Sequence, residues 1–340
     1  MSDISTAPGP GRTSRAWSGV PLLLAFLAMA FVVHLMVGTK LFSPETVIEA
    51  LFAADPASFD HAIIANLRLP RAVIAATVGA ALSVAGALMQ GVTRNPLADP
   101  ALLGLTAGAS FAVVMATALF GLGGSAWLPW IASAGALLAA LVVYGIANWV
   151  PGGATPLSLT LAGAAVSAFL GAAISVAHLL DEETFQSLRV WLTGSLAGRD
   201  IGLLWIVGPW LLLAMVLALA SARKVTVLAM GEEMAQGLGV RTGRLKLEIL
   251  AIVVVLTACS VALAGPLGFI GLVIPHVVRL HAGSDYRWIV PYSALAGAAY
   301  LLAVDIVARV VIAPQEISTG IITAMAGAPL FVQLVRRRAR

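Results

Sequence analysis

Ten runs of apolar residues, most of them close to the length that spans a membrane, restrict most strongly what this chain can fold into. A helix needs about 20 apolar residues to cross the hydrocarbon core of a bilayer. With 60% hydrophobic and 11% charged residues, the chain has too few polar side chains to cover a water-soluble fold of 340 residues. The runs predict an all-α polytopic membrane protein with ten transmembrane helices, at residues 20–38, 69–90, 101–121, 127–149, 157–179, 203–222, 247–264, 267–281, 289–311 and 319–335.

The two ends of the chain differ from the apolar domain, residues 20–335. Residues 1–19 are rich in Ser, Pro and Gly and are expected to form a disordered cytoplasmic tail. Ala28-Met29-Ala30 resembles a signal-peptide cleavage site, but the apolar run continues past it to Gly38, which favours a membrane span. Residues 336–340 form a basic cytoplasmic C-terminus.

The basic residues between the runs predict the orientation in the membrane. Ten spans place both termini on one side, and 14 Lys or Arg residues fall on that side against 6 on the other. The basic side is expected to be the cytoplasm. Arg68, Arg71 and Arg309 lie on the opposite side and need another explanation. They could extend to lipid headgroups, and Asp305 precedes Arg309 by one helical turn, which predicts a self-neutralised pair.

Residues 222–246 form a polar segment between two apolar runs. Five of the 20 basic residues lie here, and the centre, Gly231–Gly237, is predicted to be a short helix bounded by glycines, with Glu232 and Glu233 in its first turn. A short helix on the cytoplasmic side suggests a soluble partner, although an ordinary loop is an equally good interpretation. The chain has no G-x-x-x-x-G-K-[ST] motif to bind a nucleotide phosphate itself.

Small residues predict close helix packing. Gly163, Ser167, Gly171 and Ser175 recur every four residues, and such spacing lets helix backbones approach closely in lipid. Helix contact is favoured over the lining of a pore. Asp99-Pro100 is a typical helix start, with the acid at the N-cap and proline at N1.

The chemistry-bearing residues predict neither a metal site nor a cofactor. The single cysteine, Cys259, lies in an apolar run, and no histidine has ligand spacing to another histidine or to the cysteine. The net charge of +4 is scattered over loops and ends, so nucleic-acid binding is not expected.

Four stretches together carry a resemblance to a known family. They are LRLPRAVIAATVGAALSVAGALMQ (67–90), RNPLADPALLGLTAGAS (94–110), GEEMAQGLGV (231–240) and GPLGFIGLVIPHVVRL (265–280). In this order and at these spacings they resemble the FecCD family of ABC permeases, which import ferric siderophores, haem and cobalamin. The resemblance covers the chain after residue 20.

The resemblance implies a type II ABC importer permease fold in the bacterial inner membrane. It implies a dimer, with a second copy or a close paralogue, two cytoplasmic ATPase subunits, and a periplasmic or lipid-anchored substrate-binding protein. The chain would not be an enzyme, since its partners would hydrolyse ATP.

The resemblance also implies three groups of functional residues. The ATPase would be contacted by Gly231, Glu232, Glu233, Met234, Gln236, Gly237 and Gly239. The path would be lined by Gly163, Ser167 and Gly171, with Thr155 and Ser158, in the segment 151–158, near a cytoplasmic gate. Glutamates of the binding protein would meet Arg68, Arg71 and Arg309.

The substrate is less narrowly predicted than the family. The stretch 185–200 looks more like siderophore permeases than cobalamin permeases, so a ferric siderophore is the first choice and haem or cobalamin stay open. An ion-coupled secondary transporter is a different class. It would need buried acids as proton relays, and Asp305 is the only clear acid within a span.

Overall fold

The computed structural model describes residues 11–122, 127–151, 155–180, 182, 188–189 and 191–338, and the regular structure in them is helical. The helices, in chain order, are α1 (Gly11–Met36), α2 (Pro44–Phe52), α3 (Phe59–Ile63), α4 (Leu69–Thr93), α5 (Leu105–Phe120), α6 (Leu128–Trp149), α7 (Pro156–Leu180), α8 (Gly202–Met230), α9 (Glu232–Gly237), α10 (Thr242–Ala264), α11 (Ile270–Ala282), α12 (Tyr286–Val310) and α13 (Thr319–Arg338).

Among the described residues, seven helical segments are long and apolar enough to cross a membrane, and they contain α1, α4, α6, α7, α8, α10 and α12. Three further apolar helices are shorter: α5, α11 and the apolar part of α13. The prediction of an all-α polytopic membrane protein is confirmed. Each of the ten predicted runs corresponds to one apolar helix, but three of these helices are shorter than a full span.

Helix α4 occupies the centre of the bundle because its small residues admit neighbours on several sides. A methyl group on Gly79 would overlap the carbonyl oxygen of Gly297 in α12, and one on Gly86 would overlap the carbonyl of Gly271 in α11. The Gln90 amide donates to the carbonyls of Gly271 and Leu272, both at 3.2 Å. Backbone contact of this kind is what small residues permit in membrane helices.

Several helix boundaries differ from the predicted ones. Helix α1 begins at Gly11, within the segment 1–19 that was predicted to be a tail, and residues 1–10 lie outside the described part. No proline falls between Pro10 and Pro21 to stop a helix there. Helix α8 continues past Ala222 to Met230, because no Gly or Pro interrupts that stretch. Helix α13 continues through Arg338 and takes in part of the basic C-terminus.

The segment between the first two predicted spans is also helical. Helices α2 and α3 begin at serine caps, where Ser43 Oγ accepts from Thr46 N at 3.1 Å and Ser58 Oγ accepts from His61 N at 3.4 Å. A π-helical turn, Ile64–Arg68, joins α3 to α4 without a break. This turn places Arg68 and the first turn of α4 against the end of α1.

Candidate functional site

The short helix predicted at the centre of the polar segment is present as α9, and glycines bound it. Gly231, with φ of +142°, lets the chain turn from α8 into α9, and Gly239, with φ of +80°, lets it turn out again toward α10. These backbone conformations favour glycine, since a Cβ would be strained there. Gly237 instead forms the last residue of α9.

Two faces of α9 have different roles. Lys246 Nζ binds both carboxylate oxygens of Glu232, at 2.8 and 3.0 Å, and the Gln236 amide donates to Thr242 Oγ1 at 3.2 Å. With buried Ala235, these contacts hold α9 against the start of α10. The hydrogen bond from Lys246 holds the pKa of Glu232 below its usual value.

The opposite face of α9 is exposed. It presents Glu233, Met234 and Gly237, and Leu238 follows immediately. Met234 is 50% exposed and Leu238 is 65% exposed, which leaves a small apolar surface beside the Glu233 carboxylate. Of the seven residues predicted to contact an ATPase, Glu232 and Gln236 bond to α10, and Glu233, Met234 and Gly237 are exposed without such a bond to α10.

Thr155 and Ser158, predicted near a gate, cap the first turn of α7. Thr155 N donates to Ser158 Oγ at 2.9 Å, and Ser158 N donates to Thr155 Oγ1 at 3.1 Å. This reciprocal pair satisfies backbone donors that a helix start leaves open. Of the segment 151–158, residues 152–154 lie outside the described part of the chain.

The small residues spaced four apart in α7 differ in how far they are exposed. Gly163 is buried, Ser167 is half-buried beside Gly104, and Gly171 and Ser175 are exposed. Four residues advance about 40° more than one helical turn, so a stripe at this spacing winds slowly around its helix. The Ser175 hydroxyl donates to the Gly171 carbonyl at 3.0 Å. One end of the stripe packs against neighbouring elements and the other end lies on an open face.

Arg68 caps the end of α1. Its Nη1 donates to the carbonyls of Leu35 and Met36 at 2.7 and 2.8 Å, its Nη2 donates to the carbonyl of Lys40, and its guanidinium lies 4.3 Å from the Phe42 ring centre. A cation at the negative end of a helix dipole satisfies carbonyls that have no helical partner. This arrangement gives a structural reason for an arginine on the side predicted to face outward.

Arg71 and Arg309 surround the buried carboxylate of Asp305. Arg71 binds both of its oxygens, at 2.8 and 2.9 Å, while Arg309 Nε lies 3.4 Å from Oδ2 and Arg309 Nη2 donates to the His34 carbonyl at 3.1 Å. The predicted Asp305–Arg309 pair is present, and Arg71 is a second and closer partner of the same carboxylate. His34, which looked isolated in sequence, lies with Nε2 2.9 Å from Asp305 Oδ2.

These contacts bury two of the three arginines that were predicted to dock a binding protein. Arg68 and Arg309 are only 6% and 3% exposed, so they are not the free surface cations that the sequence suggested. Arg71 keeps one edge near the surface, where its Nη1 binds Glu316 Oε2 at 2.8 Å. Whether the three arginines take part in docking stays a prediction.

A cavity of about 420 Å³ opens beside these arginines. Lys40, Arg68, Arg71, Arg199, Arg309 and Glu316 are among its lining residues. Arg199 is the residue that sequence reasoning missed. Its Nε donates to the Ser195 carbonyl at 2.8 Å, and burial lowers the pKa of its guanidinium to about 10, with no acidic partner among the described residues to offset that burial.

Metal chemistry has no support in the described part of the chain, where no three His, Cys, Asp or Glu residues lie close enough to hold an ion. Cys259 is buried in α10, where burial accords with packing.

Comparison with known proteins agrees with this architecture. The model of the FecCD transport family matches residues 25–337. The chain is 43% identical over 335 residues to the iron(3+)-hydroxamate import system permease protein FhuB of Bacillus subtilis, covering 96% of this chain and 86% of that one. It is 41% identical over 321 residues to the ferric enterobactin transport system permease protein FepD of Escherichia coli, covering 94% and 96%.

A more distant relative and a solved structure extend the comparison. The hemin transport system permease protein HmuU of Yersinia pestis is 36% identical over 284 residues, covering 80% of this chain and 83% of that one. The inward-facing structure of a metal-chelate type ABC transporter superposes with a TM-score of 0.79 at 28% identity, covering 96% and 99%. The matched family model and these near-full-length relatives show that the chain belongs to the FecCD transport family.

Proposed function

We propose that this chain carries a ferric siderophore across the bacterial inner membrane as one of two permease subunits in a type II ABC importer. The chain is a permease subunit of an ABC transporter and is not itself an ATPase. The exposed face of α9, held on its other face by Lys246 and Thr242, is the single observation on which the proposed coupling rests.

Coupling to the ATPase needs a rigid element that transmits movement to the membrane helices. Helix α9 fits this role, because Glu232 and Gln236 attach it to α10 while Gly231 joins it directly to α8. Glu233, Met234, Gly237 and Leu238 supply the accessible surface. A mixed acidic and apolar surface of this size suits a cleft in a soluble partner.

The translocation path is proposed to follow the open face of α7, between this chain and a second permease subunit. Leu161, Phe169 and Val176 are 62%, 73% and 55% exposed, and Gly171 has open space around it. Gly163 and Ser167 pack within the chain and would support this face from behind. Thr155 and Ser158 would position the gate by fixing the start of α7.

Docking of the substrate-binding protein is proposed at the outer cavity. Arg68, Arg71, Arg199 and Arg309 all line this cavity, and Arg68 and Arg309 also hold the end of α1 through the carbonyls of Leu35 and His34. A carboxylate of the binding protein would offset the free-energy cost of burying the Arg199 charge. Complementary charge of this kind mainly steers and orients association.

A ferric siderophore is the proposed cargo because the permeases for ferric hydroxamate and ferric enterobactin are 43% and 41% identical, against 36% for the hemin permease. Haem is therefore the second candidate, and cobalamin stays a third. Ion-coupled transport is less well supported. The Asp305 carboxylate already binds Arg71, His34 and Thr319, and a carboxylate held by so many partners is a poor proton relay.

The proposed topology has ten crossings, with both termini and α9 in the cytoplasm. It assigns α2 and α3 to the outer side together with the 420 Å³ cavity. The support is the 14-to-6 distribution of basic residues, with the outer arginines explained by the end of α1 and by Asp305.

Reconstituted transport tests the proposal. The chain, its cognate ATPase and its binding protein would be placed in proteoliposomes with ATP inside or outside, and uptake of a ferric hydroxamate, ferric enterobactin, haem and cobalamin would be compared. We expect ATP-dependent uptake of a ferric siderophore with no requirement for a proton or sodium gradient. Uptake that follows an ion gradient without ATP would contradict the importer assignment, and a preference for haem would change only the cargo.

A further inference from the structure

A second charged cavity, also of about 420 Å³, lies between the ends of α8 and α10 that adjoin α9. Its lining residues are Lys224, Gly239, Val240, Arg241, Arg244, Leu245 and Glu248. It holds three cations and one acid. Gly239, one of the residues predicted to contact an ATPase, is among its lining residues, whereas Glu233, Met234 and Gly237 on the exposed face of α9 do not line it.

The positive charge in this cavity is only partly neutralised within the chain. Arg244 Nε lies 3.0 Å from Glu248 Oε1, but neither Lys224 nor Arg241 has an acidic partner among the described residues. Helix α10 begins here with Arg241 at its N-cap, no capping side chain and no acid in its first turn. Cations are unfavourable at the positive end of a helix dipole, so an anion bound in the cavity would relieve that repulsion.

The surfaces next to the cavity indicate which kind of anion fits. At helical spacing from Lys224, α8 presents Leu217 and Leu213, which are 45% and 51% exposed. Exposed apolar side chains on a membrane-spanning helix contact acyl chains. The cations therefore lie where the headgroup of a lipid would be if its tails lay along this face of α8.

We propose that Lys224, Arg241 and Arg244 bind the phosphate of an anionic phospholipid in the leaflet on the α9 side of the membrane. The site does not depend on which cargo the permease carries or on which protein docks at its outer side. A basic residue near an anionic membrane surface contributes about fivefold to binding, so the two unpaired cations together should contribute about 25-fold.

Lipid titration of the purified full-length chain in detergent, followed by native mass spectrometry, tests the site. The probes are phosphatidylglycerol and phosphatidylcholine with the same acyl chains. The test variant is K224Q/R241Q, and the control is R223Q, which removes an exposed cation next to Lys224 that does not line the cavity. We expect the wild-type chain and R223Q to prefer phosphatidylglycerol, and K224Q/R241Q to lose about 25-fold in affinity for it.

Several outcomes would overturn the proposal. The first two are equal binding of the two lipids by the wild-type chain, and equal losses in K224Q/R241Q and R223Q. Displacement of phosphatidylglycerol by millimolar inorganic phosphate would indicate a site for a free anion. Unchanged affinity of K224Q/R241Q for phosphatidylglycerol would show that these cations do not hold the lipid. If the double variant does not fold, the single variants K224Q and R241Q are tested instead. Each should lose about fivefold in affinity for phosphatidylglycerol.

Discussion

Arg71 and Asp305, 234 residues apart in sequence, form a two-point ion pair in which Nε donates to Oδ2 at 2.8 Å and Nη2 donates to Oδ1 at 2.9 Å. The parallel geometry makes this one of the stronger side-chain interactions available to a protein. Asp305 also accepts from Thr319 Oγ1 at 2.9 Å and contacts His34. The pair therefore joins α1, α4, α12 and α13 at one point beside the cavity that Arg68, Arg71 and Arg199 line.

Removal of the Asp305 carboxylate should destabilise the fold strongly. Asp305→Ala leaves Arg71 and Arg309 beside a cavity with no buried anion, and breaking a buried pair costs about 3–5 kcal/mol. Thermal unfolding in detergent would measure the loss. Asp60→Ala is the matched control, because it breaks the exposed Lys40–Asp60 pair, for which about 0–1 kcal/mol is expected. Equal effects of the two variants would show that the Asp305 network contributes no special stability.

Arg199 should influence docking more specifically than the buried arginines do. We expect Arg199→Gln to slow association of the binding protein and to reduce the salt dependence of docking, with the fold intact, because a cation at the cavity wall is lost. Arg199→Lys keeps the charge and should retain most of the rate. The measurement is binding of the purified binding protein to the reconstituted complex at two salt concentrations.

Arg68→Gln distinguishes a role of Arg68 in docking from a role in stabilising the fold. It should lower thermal stability, since the carbonyls of Leu35 and Met36 lose a charged donor. If Arg68→Gln abolishes docking while stability is unchanged, the original interpretation of Arg68 as a docking residue is the better one.

The two faces of α9 should respond differently to substitution. Glu233→Lys changes the exposed face, and we expect it to reduce transport and substrate-stimulated ATP hydrolysis at least tenfold while the chain stays folded. Glu232→Gln should instead loosen α9 from Lys246. Because the pKa of Glu232 is lowered from 4.5, its contribution to stability is complete above that pH and is lost as the pH falls through the lower folded-state pKa. Normal coupling in Glu233→Lys would mean that α9 is only a connecting segment.

The glycine contacts of α4 should tolerate no added methyl group. Gly86→Ala places Cβ against the carbonyl of Gly271, and overpacking of this kind costs about 1–3 kcal/mol or prevents accumulation. Gly145→Ala in α6 meets nothing within 4 Å and should be neutral or slightly stabilising. Folded yield and thermal unfolding of the two variants provide the comparison, and similar behaviour would contradict the close approach of α4 and α11.

Single-cysteine labelling tests the orientation. In a Cys259→Ala background, Phe52→Cys in α2 should react with an impermeant maleimide added to intact cells, whereas Glu233→Cys should react only after the membrane is opened. Phe52 is 86% exposed, so accessibility to solvent does not limit the outer site. Labelling of Glu233→Cys from outside would reverse the topology.

The class of fold and the short helix were determined by sequence alone, because both depend on signals that are local along the chain. The length of an apolar run shows whether a helix can cross a bilayer. The glycines around Glu232 and Glu233 mark where a helix can begin and end. The reciprocal cap of Thr155 and Ser158 is equally local, although its residues were assigned a different role.

The partners of Arg68, Arg71 and Arg309 were decided only by the tertiary structure. Nothing near Arg71 in sequence indicates Asp305 or Glu316, and nothing near Arg68 indicates the last turn of α1, because each contact forms when helices distant in the chain pack side by side. The same holds for the stripe on α7, whose four-residue spacing was visible but whose drift from Gly163 to Gly171 separates packed from open positions only when neighbouring helices are in place. Charge and periodicity are properties of a segment, whereas burial and pairing are properties of the assembled bundle.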